Sequence, residues 1–502
     1  MQSARMRYRV KGTQLYVNPT ARYDSASTGR RAGRWGAVNG GPNIAASNLP
    51  TLRNRNRDAV RNELLADASV EVIVSNMVGT GIKPQFATPD SEFNKEMAHL
   101  WRAWTDESDA DGMLDFYGQQ ALGARSMIEA GEVFGRYRIR RPSDGMTVPL
   151  QIQLLESEFC PVEKTGSYGG NKIVNGIELT PFGRRAAVWL HKNHPYDRSM
   201  IGADTAGMVR VSADQLFQMM AVRRPGQLRG EPWLVRSLPT IHSLSQYHHA
   251  ELERKKTAAM LAGFVRRPVP EGMTAEELGA KWGADVEMVD GVGMVTLEPG
   301  TMQYLEPGEE INFSSPADVG GSYEAFLREQ RRDAAISAGV LYEQLTGDYR
   351  SVNDRTLRGA LNEFRRRCQM WQHNLVVFQM SRGVHRRWMA VGILSGAIRP
   401  PAGMSEQEMM RVKWVPQAWP HLHPVQDVLA AKEEVRSGFT SRAQKVSERG
   451  EDIEQIDDEQ AKDNTRADNL DLSYDSDGRR APSDPGKVRP EDDASDDGKN
   501  KD

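Results

Sequence analysis

At 502 residues, with 39% hydrophobic and 26% charged residues, the chain has the length and composition of a globular protein with several domains and a substantial core. Lys+Arg 65 against Asp+Glu 68 leaves a net charge of -3, which argues against a chain that grips duplex DNA by neutralising phosphates over its whole surface. Its two cysteines, Cys160 and Cys368, exclude a thiolate metal site and fit a reduced, cytosolic setting, and no apolar run approaches the ~18 residues of a membrane span.

The start, MQSARMRYRVKG, has no apolar run behind it and does not read as a secretory signal. Through residue 62 the chain is strongly basic. Arg5, Arg7, Arg9, Lys11, Arg22, Arg30, Arg31, Arg34, Arg53, Arg55, Arg57 and Arg61 face only Asp24 and Asp58. Gly, Ser and Asn between them leave little to bury, so this stretch reads as an extended arm that either touches nucleic acid or lies across a neighbouring subunit. Leu52 to Val78 then reads as one amphipathic helix, broken by Gly79-Thr80-Gly81 before a strand. Those glycines form a turn, because neither a third Gly nor a Lys-Ser/Thr pair follows to make a phosphate loop.

Phe93, Met97, Leu100, Trp101 and Trp104 sit at helical spacing and belong in a core, and a further helix covers Phe116 to Ala130. The period then changes to two. Val133, Tyr137 and Ile139 alternate with Arg136, Arg138 and Arg140, and Val148, Leu150, Ile152 and Leu154 with Gln151 and Gln153. The turn Pro142-Ser-Asp-Gly145 makes these a hairpin with one wet face. Strands continue through Lys172–Leu179 and Arg185–His191. A long helix follows, with Leu234, Leu238, Ile241, Leu252 and Leu261 on its stripe, Pro232 at its start and Pro268 just past its end.

Val269 to Asn312 is Gly-punctuated, with one helix near Thr274–Trp282 and strand-like GMVTL and MQYL. A second helix, Gly321 to about Gly339, carries Tyr323, Phe326, Leu327 and Ala334 on one side. It leads into the polar segment Thr346-Gly-Asp-Tyr-Arg-Ser-Val-Asn-Asp354, in which Asn353 or Asp354 can cap the next helix. That helix has Leu357, Leu361, Phe364, Cys368, Trp371, Leu375 and Phe378 on one stripe, and Arg358, Arg365, Arg366 and Gln369 on the other face. VKWVPQAW is strand-like, HPVQDVLAAKEEVRSGFTSRAQKVSERGEDIEQIDDEQAKDN holds two or three short helices, and from Arg466 on the tail is too polar to offset its ordering entropy.

No catalytic pattern survives inspection. Walker A, HExxH, GxSxG and paired CxxC are absent. His421-Leu-His423 is enclosed by Pro420 and Pro424 without a third ligand, and the adjacent His248 and His249 point to different parts of a helix surface. Glu129 and Glu132 read as solvated carboxylates at a helix-to-strand turn. We therefore expect no enzyme, no cofactor and no metal.

Four stretches resemble the lambda-type bacteriophage portal proteins. They are LYEQLTGDYRSVN after a helix ending in ISAG; YDSASTGRRAGRW with LPTLRNRNRDAVRNELLADASVEVIVSNMVGTGIKPQF; GEVFGRYRIRR, LLESEFCP and NGIELTPFGRRAAVWLHKNHP; and the helical run from His423 to Asn464. The resemblance spans roughly Tyr23 to Asn464. It implies a mixed α+β portal fold: a basic extended arm (1–48), a wing of helices plus β-sheet (49–231), a stem helix (232–267), a small α/β clip (268–318) and a returning stem helix (319–343). A tunnel loop (344–354), a long kinked helix with the rest of the wing (355–420), a helical crown (421–465) and a disordered acidic tail (466–502) complete it.

The implied function is a ring of about twelve subunits at one capsid vertex, with a channel through which genomic DNA is packaged and ejected. Asp348, Tyr349, Arg350, Ser351, Val352 and Asn353 of the tunnel loop would face the double-stranded DNA. The clip, within Val269–Asn312, would dock terminase and later the head–tail adaptor, with the major capsid protein as a further neighbour. The implied location is the virion, after assembly in the host cytoplasm. The alternatives are a monomeric or dimeric nucleic-acid-binding protein working through the basic arm, or a head–tail adaptor.

Overall fold

The computed structural model describes residues 40–197, 207–260, 323–350, 352–420, 423–472, 474 and 479. It also describes the backbone of six short strands, at 7–10, 13–16, 264–267, 287–289, 292–296 and 310–312. The expected helix near Thr274–Trp282, the strand at MQYL, Pro268, Ser351, His421 and most of the arm and tail lie outside the described residues.

Strands β1 (Arg7–Val10) and β2 (Thr13–Tyr16) pair antiparallel. The single helix expected over Leu52–Val78 is two: α1 (Leu49–Asn62) and α2 (Leu64–Met77), broken at Glu63, which is extended at φ -113, ψ 116. The break re-phases the buried stripe. Val60 on α1 and Ala66 on α2 both face the core, and six residues of unbroken helix would leave them roughly a third of a turn apart. Strand β3 (Lys83–Phe86) follows the expected glycine turn.

Helix α3 (Ser91–Thr105) is capped by Asp90, and α4 (Phe116–Ala130) by Asp115. The Trp101 indole of α3 packs at 5.4 Å from the Phe116 ring and 5.1 Å from that of Trp388, and Trp104 Nε1 donates to Leu150 O at 2.8 Å. Each such buried ring contributes on the order of 2–3 kcal/mol.

Strands β4 (Glu132–Ile139) and β5 (Leu150–Glu156) form the expected hairpin. Its second face is wet only at the far end. Arg140 is exposed there, whereas Phe134, on the same arginine side, is buried in a second core with Leu155, Ile177, Val188 and Leu190. A second sheet covers that face: β6 (Gly166–Tyr168), β7 (Asn171–Val174), β8 (Ile177–Leu179), β9 (Arg185–His191) and β10 (Met208–Ser212), ordered β10-β9-β8-β7-β6. Two arginines of this face use the paired strand, half-buried Arg138 Nε donating to Gln153 at 2.9 Å and exposed Arg140 Nε to Gln151 at 2.7 Å. Strand β11 (Leu216–Met220) completes the hairpin sheet in the order β11-β4-β5.

Pro232 opens a short 3-10 turn (Trp233–Arg236) instead of the long helix itself, which is α5 (Leu238–Met260). After it come β12 (Phe264–Arg267), β13 (Glu287–Val289), β14 (Val292–Thr296) and β15 (Glu310–Asn312), a sheet ordered β13-β14-β12-β15. Helix α6 (Tyr323–Ala338) returns against α5, with the Tyr247 ring 5.3 Å from Phe326. A helix out, a small sheet and a helix back therefore form an insertion on a helical hairpin.

Beyond the short helix α7 (Tyr342–Thr346), helix α8 (Asp354–Trp371) passes into a π-helical segment, Gln372–Ser381, and then α9 (Arg382–Ser395). The apolar stripe holds through Phe364, Cys368 and Leu375, but Phe378 is 62% exposed. The wider π turn shifts the phase, so Val376, Val377, Met380 and Ser381 face the core instead. Polar side chains fix this segment to β11: Gln379 accepts from Met220 N at 2.7 Å and donates to Met220 O at 3.1 Å. Of the expected solvated face, Arg366 and Gln369 are exposed, while Arg365 reaches Pro420 O at 3.2 Å.

The short helix α10 (Glu406–Met409) precedes β16 (Val412–Val415), which pairs with β3 and ties this end of the chain to its first third. Three helices close the described chain: α11 (Pro424–Arg436), α12 (Arg442–Glu448) and α13 (Ile453–Asn469). Helix α13 continues past residue 466, where the disordered tail was expected to begin.

Candidate functional site

The loop between α7 and α8 is shaped by its own side chains. Gly347, in the left-handed region at φ +67, ends α7, and its N–H reaches Glu343 O at 2.9 Å. Asn353 caps α8 by accepting from Arg355 N at 3.0 Å. Between these ends Asp348 gathers donors. It accepts from Arg350 Nε at 2.9 Å and Nη2 at 3.1 Å, and from the Tyr342 hydroxyl at 3.3 Å. Arg350 Nη2 also donates to Glu324 Oε1, at 3.3 Å. These hydrogen bonds from Arg350 hold the Asp348 carboxyl well below the usual carboxylate range, and Asp348 raises the arginine in return.

Glu324 lies in the first turn of α6, and the Tyr342 ring lies under Arg328 and Arg332 of the same helix, at 5.8 and 5.6 Å. The segment from Tyr342 to Arg350 thus runs back along α6, antiparallel to it. Its root is anchored by Arg367 Nη1, which donates to Gly339 O at 2.6 Å.

Of the residues singled out in sequence, Asp348 and Arg350 meet directly. Tyr349 is exposed and contributes its carbonyl to Val352 N at 3.3 Å, Val352 is half-buried, and Asn353 is the cap. Glu324 and Tyr342 were missed as parts of the site. Glu324 is 26 positions from Arg350, and nothing in the loop's own sequence points to it.

A second charged cluster corrects the sequence reading. Glu132 is not a solvated carboxylate: it is 0% exposed. It accepts from Arg53 Nη2 at 2.7 Å, Arg229 Nε at 2.7 Å, Gln218 Nε2 at 2.6 Å and Gly230 N at 2.9 Å. Burial alone would raise its pKa; Arg229 and Arg53 outweigh burial and lower it. Arg229 extends the network to the carbonyls of Asn175, Ser157 and Cys160. The strap before α5 is pinned to the strand by a close backbone approach as well. Gly131 has φ +92, and a Cβ there would meet Gly230 C at 2.6 Å.

Arg53 was assigned to an extended basic arm; it is a fully buried side chain of α1. Arg57, from the same run, pairs with Glu158 at 2.7 Å and Glu156 at 3.3 Å. Glu156, Glu158 and His194 bring ligand-type atoms within 4.8 Å of one another, but both carboxylates already carry the Arg57 guanidinium. His423 faces Asp354 at 3.3 Å.

The family model described as "Phage portal protein, lambda family" matches residues 28–372. The chain is 23% identical over 418 residues to a probable portal protein of Halomonas phage phiHAP-1, covering 81% of this chain and 78% of that one. It is 21% identical over 248 residues to portal protein B of Escherichia phage lambda, 46% of each chain. Among solved structures, a chain from the neck of a native gene transfer agent particle aligns with TM-score 0.48 and 13% identity, over 80% of this chain and 93% of that one. An HK97-family phage portal protein from Corynebacterium diphtheriae aligns with TM-score 0.32 and 11% identity, over 61% and 84%.

Proposed function

The chain belongs to the lambda family of phage portal proteins, and from that premise we propose that its copies close into a ring of about twelve around a DNA channel. In this reading genomic DNA passes along the 344–354 loops on its way in and out of the head. The clip, within Val269–Asn312, docks terminase and then the adaptor on the tail side, and the major capsid protein is a further neighbour. The proposed setting is one vertex of the virion, after assembly in the host cytoplasm. The chain acts as a conduit and not as an enzyme.

The observation that carries the loop assignment is its charge balance. The exposed tip between α7 and α8 offers one cation, Arg350, already matched by Asp348 and Glu324. DNA must slide past such a tip without being held, and affinity from phosphate contacts grows with each free cation. A loop whose cation is offset suits weak, replaceable contact. The alternative of a small nucleic-acid-binding protein loses ground, because two of the arm's arginines, Arg53 and Arg57, are spent on internal carboxylates.

Light scattering and negative-stain imaging test the ring: a closed annulus of many copies is expected, and a monomer or dimer under every assembly condition refutes it. Asp348→Arg, or deletion of Tyr349–Asn353, tests the loop. Impaired packaging or DNA retention is expected, and normal packaging and retention would refute the assignment.

A further inference from the structure

Two connections of different strength hold the loop against α6. At the root, the Tyr342 ring sits under Arg328 and Arg332, and Arg367 holds the Gly339 carbonyl. At the tip, the tie is the Arg350–Glu324 contact at 3.3 Å, between side chains that are each 77% exposed. Asp348 belongs to the loop itself and is two residues from Arg350. Glu324 belongs to the helix.

We infer that Glu324 is a positioning residue of the DNA-contacting loop: it holds Arg350 back against α6 and competes with a DNA phosphate for that arginine. The inference rests on the reading of this loop as the part that meets DNA. The chemistry is exchange of one oxyanion for another on the same guanidinium. A carboxylate and a phosphate oxygen both accept from the guanidinium N–H groups, and a phosphate can take the Nη2 hydrogen that Glu324 now accepts. A solvent-exposed carboxylate–guanidinium pair is weak and screened by salt, so the exchange is cheap in both directions. That is what a surface past which DNA slides requires. A stronger hold would keep Arg350 against α6, and no hold would leave Asp348 as its one carboxylate partner on every subunit.

The test uses the full-length protein in its assembled form and a short blunt DNA duplex, with binding followed by fluorescence anisotropy across a salt series from about 50 to about 200 mM. Glu324→Gln keeps the shape and removes the competing charge. It is expected to tighten binding by about threefold or more at low salt and to steepen the salt dependence. In an Arg350→Ala background the same substitution should change nothing, which separates competition for Arg350 from a general change in surface charge. If Arg350→Ala weakens binding while Glu324→Gln matches the parent protein, the positioning role is refuted and the loop reading stands. If Glu324→Gln tightens binding equally with and without Arg350, the positioning role is likewise refuted, because the effect is then only one of net charge. If Arg350→Ala leaves binding unchanged, the loop reading itself fails and takes this inference with it.

Discussion

Two clusters in this protein are built from the same parts, arginine and carboxylate, and behave oppositely because of where they sit. Around Glu132 one carboxylate serves Arg53 and Arg229 with no exposed surface, and Gln218 and the Gly230 N–H complete its set of partners. Around Arg350 one exposed guanidinium serves the half-buried Asp348 and the exposed Glu324. In the dry cluster every charge depends on its partner, since an unpaired buried ion is costly. In the wet cluster water and salt can replace Glu324. Glu132 therefore fixes geometry, joining α1, β4, β11 and the strap into α5, and Arg350 offers a contact that can be exchanged. Identical ion-pair chemistry supplies a rivet in one place and a catch in the other.

The largest effect expected from breaking this contrast is in the dry cluster. Glu132→Ala leaves Arg53 and Arg229 facing each other without the carboxylate both donate to and should cost about 3–5 kcal/mol. Hydrogen exchange at Val133 and Phe134 reads this as lost protection; a cost under about 1 kcal/mol would mean that water already reaches the cluster.

Acid sharpens the difference. His385 is buried among Phe86, Trp101, Trp388 and Trp414, and burial, with Arg386 adding to it, pushes its pKa down to about 4. The unfolded chain takes up that proton near pH 6.5 and the folded chain does not. Stability is therefore lost as pH falls from about 6.5 to about 4, by about 3 kcal/mol in total. Glu132, with its pKa lowered, works in the same direction: its contribution is complete above the ordinary carboxylate range and disappears as pH falls through its folded value. His385→Phe should flatten the first part of this profile in an acid titration followed by tryptophan fluorescence.

At the boundary between the two regimes, Asn353→Ala removes the cap of α8 and should cost about 1 kcal/mol, visible as faster exchange in the first turn of that helix. The smallest effect belongs to the wet cluster: Glu324→Gln should leave the melting temperature unchanged within error. A clear drop would mean that the loop's tie to α6 is structural and the contrast overdrawn.

The family resemblance and most of the element order were legible from local patterns. The alternation through β4 and β5, a cap at Asn353 or Asp354, of which Asn353 is the one, and the strand at Val412–Val415 each needed only neighbouring residues. What failed depended on distant partners. Glu132 looks like any acid at a helix-to-strand turn until α1 and the strap close over it. The apolar stripe of α8 was followed at helical period to Phe378, but the π segment, held by Gln379 to Met220, turned that ring outward.

By itself, then, the chain's order of residues determined most of the helices and the main hairpin, and that a short polar tip lies between two helices. Periodicity and capping act over a few residues, so they can be read one turn at a time. Only the tertiary structure decided which charges are dry and which are wet, because burial is a property of everything packed around a group. Arg53 and Arg350 are the same side chain, and the surrounding walls, drawn from segments far apart in the chain, give one a fixed place and leave the other free to change partners.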